Sequence, residues 1–343
     1  MSGWGFERTC GSAVGSSGKG RRRPGRLAPP VVGKARKQLQ NGLASAGYPS
    51  HVLVACSGGP DSLALAAIAA YFARRGHVDG HPVSVAGVVV DHQLQPGSGG
   101  EVASRTAAVL RELGLFPVEV RTVEVAATGF GPEAAARDAR HAALESAADQ
   151  LGCDAILLGH TLDDQAEQVL LGLARGSGTR SLAGMRPVRG RLLRPFLGLR
   201  REETLEICRV EELSPWHDPS NSDPAFARSR TRVEVMPVLE EKLGPPGVAE
   251  SLARTAAILQ QDADFLEDLA KETYLSLVQR ESGDAWLPED AVRELPAALR
   301  FRVIAKAAAD VGGVNNPATD ASKLRKPCFA GKDRQGPLSF PAT

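Results

Sequence analysis

The sequence predicts an α/β protein with a Rossmann-like parallel sheet flanked by helices, followed by a smaller helical domain. Three observations support this fold class. Short apolar runs alternate with helical patterns across residues 51–176, as they do in successive βαβ units. A glycine-rich turn joins the first apolar run to the first of these helices. Beyond residue 247, apolar residues recur at helical spacing.

The predicted strands are short apolar runs, several of them rich in β-branched residues, at residues 51–56, 83–92, 117–125 and 154–160. The predicted helices have apolar residues at helical spacing, and several end at glycine: residues 32–46, 63–76, 101–114, 132–152 and 162–176. Strands that alternate with helices pair in parallel, so their carboxyl ends share one edge of the sheet. Ligands bind at that edge in open α/β folds.

Composition divides the chain into four segments. Residues 1–30 form a basic leader rich in Gly, Ser and Arg, which predicts either disorder or an arm that lies on phosphates. Residues 31–225 contain the alternating pattern and form the predicted catalytic domain. Residues 226–311 form the predicted helical domain, and residues 312–343 form an irregular tail without periodicity.

Composition also excludes several classes of protein. The formal net charge of +1 does not indicate a polyanionic partner, and 43% hydrophobic residues suffice for a core. The sequence has no apolar run long enough to cross a bilayer, which predicts no membrane partner. The five cysteines are odd in number and lack CxxC spacing. This argues against a disulfide framework and a zinc ribbon, and predicts a cytoplasmic location.

A glycine-rich loop, SGGPDS, directly follows the first strand and opens a helix. Its glycines let the backbone approach a ligand, and the helix start offers free N–H groups and a positive dipole, so the loop suits phosphate. An aspartate in such a cradle indicates a bridging Mg²⁺ ion, because magnesium is held by a few carboxylates together with phosphates. The predicted phosphate-binding residues are Ser57, Gly58, Gly59, Pro60, Asp61 and Ser62.

Acidic side chains cluster at the end of the strand 154–160 and in the helix that follows it. His160 ends the strand, while Asp163, Asp164 and Glu167 lie within two turns of the helix. Spacings of three and four residues put Asp164 and Glu167 on one face, with Asp163 stacked over Glu167. Carboxylates so close repel one another unless a cation shares them. The pattern predicts a site for magnesium or a substrate ammonium group; a solvated acidic face is the alternative.

Basic residues form two further patterns. Arg228, Arg230 and Arg232 alternate at a spacing of two, so in an extended segment all three would point one way, toward phosphates. Glu133 and Arg137 are aligned with Arg140 on the helix 132–152. A row of surface ion pairs explains this alignment as well as a functional role does.

The SGGPDS loop resembles the signature of the N-type ATP pyrophosphatases, which cleave ATP between the α and β phosphates and adenylate an acceptor. Further segments resemble those of the lysidine synthases within that superfamily: VDHQLQPGS (90–98), GPEAAARDARHAAL (131–144), GHTLDDQAEQVLLGLARGSGTRSLAGM (159–185) and SPWHDPSNSDPAFARSRTRVEVMPVL (214–239). The resemblance covers residues 51–239. The positions that depart from the family pattern are Gln95, His141, Gln168, Ser181, Ser229 and Thr231.

The resemblance implies that the protein is an enzyme that uses ATP with Mg²⁺ to adenylate C2 of the wobble cytidine. The substrate would be the isoleucine tRNA with a CAU anticodon. L-lysine would then attack C2, and lysidine, AMP and pyrophosphate would be formed. The sequence leaves open whether the protein forms a homodimer. The alternatives are a tRNA thiolase of the same superfamily and a non-catalytic relative that binds tRNA or nucleotide.

Applied to this sequence, the resemblance and the residue patterns together assign candidate roles. The predicted catalytic residues are Asp61, Asp164, Glu167 and Arg230, with Asp61 and Asp164 as metal ligands. The ATP-binding residues would be the SGGPDS loop together with His92 and His160, which lie at strand ends. The predicted contacts with tRNA or lysine are Glu133, Arg137, Asp163, Arg228 and Arg232.

The absence of a cysteine pair separates ligase from thiolase. We expect that replacing all five cysteines with serine leaves turnover largely intact, apart from packing losses at Cys56 and Cys153, which lie at predicted strands. The measurement is ATP-dependent product formation by the folded variant. Loss of turnover in a folded single variant at Cys153 or Cys208 would favour the thiolase.

Overall fold

The computed structural model describes residues 29–91, 99–123, 132–219, 223–243, 247–281, 284–310 and 338–339. The side chains of residues 99, 132–136, 281, 284–285 and 338–339 are not part of that description. The predictions for residues 1–28, for His92 and for most of the tail from 312 to 343 fall outside these ranges. The four-segment division of the chain stays a prediction.

The strands lie where the apolar runs predicted them, with short additions. Their bounds are β1 His51–Ala55, β2 His77–Val78, β3 His81–Pro82, β4 Ser84–Asp91, β5 Val118–Thr122, β6 Ala155–Leu158, β7 Val188–Arg189, β8 Leu192–Leu193, β9 Gln279–Glu281, β10 Asp284–Leu287 and β11 Leu338–Ser339. The central sheet has the strand order β5-β4-β1-β6-β8-β7. All neighbours in it are parallel except β7 and β8. This confirms the predicted fold class.

The helices from α1 to α7 accompany this sheet, and the remaining helices follow it in the chain. Their bounds are α1 Pro30–Ser45, α2 Pro60–Arg75, α3 Gly99–Leu113, α4 Pro132–Gln150, α5 Leu162–Ala174, α6 Thr179–Leu182, α7 Arg201–Val210, α8 Ala227–Arg230, α9 Met236–Lys242, α10 Val248–Leu277, α11 Glu289–Glu294 and α12 Ala297–Asp310. A π-helical turn, Thr231–Val235, joins α8 to α9. Among the described residues, no helix is long and apolar enough to cross a membrane.

Hydrophobic side chains cover both faces of the central strands, as expected for a parallel sheet. On one face, Val52 and Val54 of β1 join a cluster that includes side chains of α1, α2 and α7. On the other face, Leu53 packs with Leu144 of α4 and Ile156 of β6. Burial on both faces explains why these strands are continuous apolar runs without alternation, and it fixes the loops at their carboxyl ends.

Two regions differ from the sequence-based prediction. The segment with three alternating arginines is helical, as α8 and the π-helical turn, and not extended. A spacing of two therefore does not align all three side chains; residues 228 and 232, four apart, share one helix face instead. The C-terminal part is also not wholly helical, because β9, β10 and β11 form a small antiparallel sheet.

The long helix α10 packs against α5 and α6. Two ion pairs hold α10 in this region: Arg180 Nη1 of α6 lies 2.6 Å from Glu267 Oε2, and Arg200 Nη1, directly before α7, lies 2.8 Å from Glu250 Oε1. Helix α10 thus packs directly against α5, the helix that carries Asp164 and Glu167.

Gly159 directly follows β6 and packs against the first turn of α2, and this close packing generates a prediction. A Cβ atom there would lie 2.9 Å from the backbone nitrogen of Ser62 and 3.0 Å from the carbonyl group of Asp61. We expect Gly159→Ala to lower the free energy of unfolding by roughly 1–3 kcal/mol and to weaken ATP binding, since the first turn of α2 must move. Urea denaturation and the ATP KM measure the two effects.

Gly178 offers the matched control, because a Cβ there meets nothing within 4 Å. Gly178→Ala should change neither quantity appreciably. Equal effects of the two substitutions would show that steric contact at Gly159 does not set the position of α2.

Candidate active site

The SGGPDS loop lies between β1 and α2 and is held in place by its own hydrogen bonds. Gly58 has a φ of +84°, and a Cβ there would lie 2.6 Å from the Thr106 hydroxyl, so only glycine fits without strain. The Ser57 backbone N–H donates to the Ser62 hydroxyl at 3.1 Å, and that hydroxyl donates to the Gly59 carbonyl at 3.0 Å. These hydrogen bonds stabilise the loop conformation.

A cavity of about 210 Å³ opens beside this loop at the carboxyl ends of β1 and β4. The backbone N–H of Trp216 donates to the Gly58 carbonyl at 2.9 Å, which joins the 214–219 segment to the loop. The lining residues are Ala55, Cys56, Ser57, Gly59, Val88, Val90, Arg140, Leu144, Trp216 and Asp218. Apolar walls, loop backbone and one arginine together suit a nucleotide.

The start of α5 is fixed by a capping box. Thr161 is the N-cap; its hydroxyl accepts from the Asp164 N–H, and Asp164 Oδ2 accepts from the Thr161 N–H at 2.8 Å. Asp164 and Glu167 face the same way, as predicted, and Glu167 is only 1% exposed. Two buried carboxylates one turn apart need compensating cations.

Arg201, at the start of α7, supplies one of these cations. Its Nε lies 3.3 Å from Asp61 Oδ2, its Nη2 3.0 Å from Asp164 Oδ1 and its Nη1 3.4 Å from Glu167 Oε1. One guanidinium thus bridges the phosphate loop helix and the carboxylate helix. Thr204 also donates a hydrogen bond to Asp61 Oδ1.

Arg228 and Arg232 approach the same carboxylates from the other side. Arg228 Nε lies 3.0 Å from Glu167 Oε2, and Arg232 Nε lies 2.7 Å from Glu167 Oε1. The Nη2 atoms of both lie 3.4 Å from Asp164 Oδ1. The cations that share the carboxylates in this structure are therefore three arginines. The helical spacing of four brings Arg228 and Arg232 together.

Arg230 does not join this cluster. It is exposed, and its Nη1 donates to the carbonyl oxygens of Pro224 and Ala225 in the preceding loop. Its predicted catalytic role stays a prediction.

Asp163 is occupied by protein groups. Its Oδ2 accepts from the Arg201 backbone N–H at 2.7 Å, and its Oδ1 lies 3.1 Å from Arg200 Nη2. Asp163 therefore caps the start of α7 and holds the residue that carries the bridging guanidinium. Its predicted contact with substrate stays a prediction.

The remaining predicted residues are only partly described. Arg137 is exposed near the start of α4, and the side chain of Glu133 lies outside the described residues, as His92 does. His160 follows β6, and its Nδ1 is buried without a hydrogen-bond partner. Burial, reinforced by Arg194, Arg228 and Arg140 and opposed by Asp164, lowers the pKa of His160 to about 3. His160 is thus a neutral ring in the physiological range.

The two carboxylates predicted to bind metal are in opposite electrostatic situations. Burial raises the pKa of Asp61, although Arg201 and Thr204 oppose the shift. Burial would also raise the pKa of Asp164, but Arg228 and Arg201 outweigh it and lower the pKa to about 2. The described residues contain no group of three or more His, Cys, Asp or Glu side chains arranged for a metal ion. A metal here would need ligands from a bound phosphate.

Arg201 and Thr204 were missed by sequence reasoning. Helix α7 was not predicted, although its start carries a local signal: Glu203 accepts from the Arg200 backbone N–H at 2.9 Å, as the acid of a capping box does. The contact between Arg201 and Asp61, 140 positions apart, has no counterpart in local sequence.

The opposite pKa shifts generate a stability prediction. The folded pKa of Asp164 lies below its ordinary value of 3.8, so ionised Asp164 stabilises the fold above that value. This contribution is lost as the pH falls through about 2. Asp164→Asn should therefore cost on the order of 2 kcal/mol near neutral pH, and the difference should vanish only below about pH 2. The folded pKa of Asp61 is raised, so its ionised form destabilises the fold. Asp61→Asn should therefore stabilise the protein at neutral pH. Denaturant titrations at several pH values test both signs; equal signs would contradict the electrostatic assignment.

Comparison with known proteins agrees with this geometry. A family described as a PP-loop domain matches residues 32–239. The chain is 51% identical to the tRNA(Ile)-lysidine synthase of Leifsonia xyli subsp. xyli, over 84% of this chain and 85% of that protein. It is 49% identical to the tRNA(Ile)-lysidine synthase of Thermobifida fusca, over 83% and 84% of the two chains.

Similarity to a solved structure supports the fold alone. The U34-tRNA thiolase NcsA from Methanococcus maripaludis superposes with a TM-score of 0.53 at 19% identity, covering 67% of this chain and 80% of that one. The family match and the extent of identity, together with a phosphate loop beside a carboxylate helix, lead to one conclusion. The chain belongs to the tRNA(Ile)-lysidine synthase family of PP-loop proteins.

Proposed function

We propose that this protein ligates L-lysine to C2 of the wobble cytidine of an isoleucine tRNA, with ATP as the energy source. ATP adenylates the C2 carbonyl oxygen and pyrophosphate leaves. The lysine side-chain ammonium group then loses a proton to solvent, the resulting amine attacks C2, and AMP leaves. The observation that carries this proposal is the junction of the phosphate loop with the carboxylate pair of α5. Similarity to proteins named tRNA(Ile)-lysidine synthase supports it over most of the chain.

The loop and its cavity suit the ATP half of the reaction. The N–H groups at the start of α2 and the positive end of its dipole are suited to phosphate oxygens. The cavity beside the loop has the apolar walls that a base and ribose need. Stabilising charge that develops on the phosphates is the main electrostatic task in such a transfer.

Asp61 and Asp164 would hold a Mg²⁺ ion together with ATP phosphates. Both carboxylates contact the same guanidinium, that of Arg201, so together they already accommodate one cationic group. Two carboxylates plus phosphate oxygens are a ligand set that magnesium accepts. When bound, the ion would neutralise phosphate charge.

The carboxylate pair also suits the amine of lysine. Glu167 and Asp164 accept hydrogen bonds from Arg228 and Arg232, and an ammonium group offers the same charge with fewer donors. We propose that a lysine ammonium group takes the place of one of these guanidiniums. The displaced arginine would then be free to contact tRNA phosphate. We also propose that the tRNA substrate carries a CAU anticodon and that the protein forms a homodimer.

The thiolase alternative is less well supported. Cys56, Cys153 and Cys208 are free and buried, and burial raises the pKa of Cys208 to about 12. Thiol chemistry requires an accessible thiolate. The similarity to a thiolase structure extends to the fold alone. The other alternative, a non-catalytic relative that binds tRNA or nucleotide, would show no turnover in the lysine incorporation assay.

The decisive experiment is ATP-dependent incorporation of labelled L-lysine into tRNA. We expect the wild-type protein to incorporate lysine into CAU-anticodon isoleucine tRNA and to release AMP and pyrophosphate. Glu167→Gln should reduce incorporation at least tenfold, because a neutral amide binds an ammonium group poorly. Rescue by high lysine concentration assigns Glu167 to the amine.

Glu206→Gln is the matched control, since Glu206 is a surface residue paired with Arg209 and should leave incorporation unchanged. Absence of incorporation by the wild-type protein would contradict the proposed function. Full activity of Glu167→Gln would contradict the role of the carboxylate pair.

A further inference from the structure

Arg194 is a buried cation outside the cluster described above. It directly follows β8, is 5% exposed, and its Nε has no hydrogen-bond partner in the described part of the chain. Its Nη1 donates to the Arg186 carbonyl at 3.0 Å, and no carboxylate pairs with it among the described residues. Burying a charge without a counterion is unfavourable unless an anion compensates it.

The charged groups that act most strongly on Arg194 are also cationic. Burial, together with Arg137 and Arg189, lowers the pKa of Arg194 to about 10. Arg140 is only partly buried by surface area, but its pKa shifts in the same direction: burial lowers it, Cys56 opposes the shift, and Arg137 and Arg228 add to it. Within the ranges that the structure describes, neither Arg137 nor Arg140 has an ion pair or a side-chain hydrogen bond. Asp218 lines the same cavity as Arg140, but no carboxylate of the described residues forms an ion pair with any of these three arginines.

The topology explains why these residues meet. Strand β6 lies between β1 and β8, and Leu157 is the register partner of Leu193, so Arg194 stands at the carboxyl edge beside the end of β6. The first turns of α4, which packs on β4 and β6, contribute Arg137 and Arg140. The positive end of the α4 dipole adds to their field.

Two histidines and two further acids also lie in this region. Burial and these arginines lower the pKa values of His160 and His141, so neither ring adds a positive charge near neutral pH. Asp164 acts on His160 and Asp138 acts on His141. Asp164 already binds the guanidiniums of three other arginines, and Asp138 is exposed.

We propose that Arg194, Arg140 and Arg137 form a second anion subsite, separate from the SGGPDS loop, which binds a backbone phosphate of the tRNA substrate. This inference rests on the proposed function. Arg140 lines the cavity beside the loop, while Arg194 lies two strands from β1, roughly 10 Å away at the usual strand spacing. The subsite therefore extends outward from the ATP cavity. A nucleotide whose base reaches ATP carries phosphates on either side, and one of them would lie along this row of arginines.

The test measures tRNA affinity against salt concentration for Arg194→Gln, with unmodified tRNA and without ATP or lysine. We expect the slope of log K against log salt to fall by about 0.7–0.9, the value for one lost phosphate contact. The KM for tRNA should rise roughly tenfold in the lysine incorporation assay, and the KM for ATP should be unchanged. A slope equal to that of the wild type would overturn the proposal.

Arg191→Gln is the matched control, because Arg191 and Arg194 flank the same strand. Arg191 precedes β8 at its opposite end and pairs with Glu145 and Asp149, so its replacement should leave the salt slope unaltered. A slope that falls equally in both variants would overturn the proposal, because it would reflect general charge and not this subsite.

Thermal unfolding distinguishes a binding role from a structural one. We expect Arg194→Gln without tRNA to melt no lower than the wild type, since an uncompensated buried charge is removed, and to gain less melting temperature when tRNA is added. If the variant melts several degrees lower and keeps its salt slope, Arg194 is structural and the proposal fails. If Arg194→Gln does not fold, the exposed Arg137→Gln must show the same loss of slope.

Pyrophosphate is the other source of a phosphate anion in this reaction. Inhibition by added pyrophosphate should be equal in the wild type and in Arg194→Gln. Weaker inhibition with an unchanged tRNA slope would place the leaving group here and overturn the tRNA assignment. Because the salt titration needs no turnover, it tests the subsite even if lysine incorporation by the wild type fails.

Discussion

The ion pairs between Arg201 and three carboxylates are the interaction on which the active centre depends. Asp61 lies on the helix after β1, and Asp164 and Glu167 lie on the helix after β6, so the sheet brings three negative charges to one edge. Such a group is stable only around a cation. Arg201 bridges the two helices, and Arg228 and Arg232 complete the neutralisation. The phosphate loop and the carboxylate helix form one electrostatic unit.

The same network couples the helical part of the chain to the chemistry. Asp163 holds the Arg201 backbone N–H, and its other oxygen pairs with Arg200, which reaches Glu250 on α10. A displacement of α10 would therefore be transmitted to the start of α7 and to the bridging guanidinium. Helix α10 thus contributes to the orientation of the site without entering it.

Several charged or polar groups at the carboxyl edge of the central sheet do not stabilise the fold. Asp61 is partly buried with a raised pKa, Arg194 is buried without an acidic partner among the described residues, and His160 has an unpartnered ring nitrogen. A fold selected only for stability would replace such groups with apolar ones. Their presence at the carboxyl ends of β1, β6 and β8 is what a site for charged ligands requires, and the hydrophobic clusters on both faces of the sheet offset the cost.

Sequence by itself determined the features that depend on near neighbours in the chain. The strand 51–55, the glycine loop after it and the shared face of Asp164 and Glu167 follow from apolar runs and helical spacing. Tertiary structure alone decided which cation meets those carboxylates, because Arg201 is 140 positions from Asp61. It also decided that Arg228 and Arg232 lie on a helix: alternation at a spacing of two fits a strand, but two guanidiniums four apart can both reach Glu167. Local periodicity is a property of the chain, whereas charge pairing is settled only when distant elements pack.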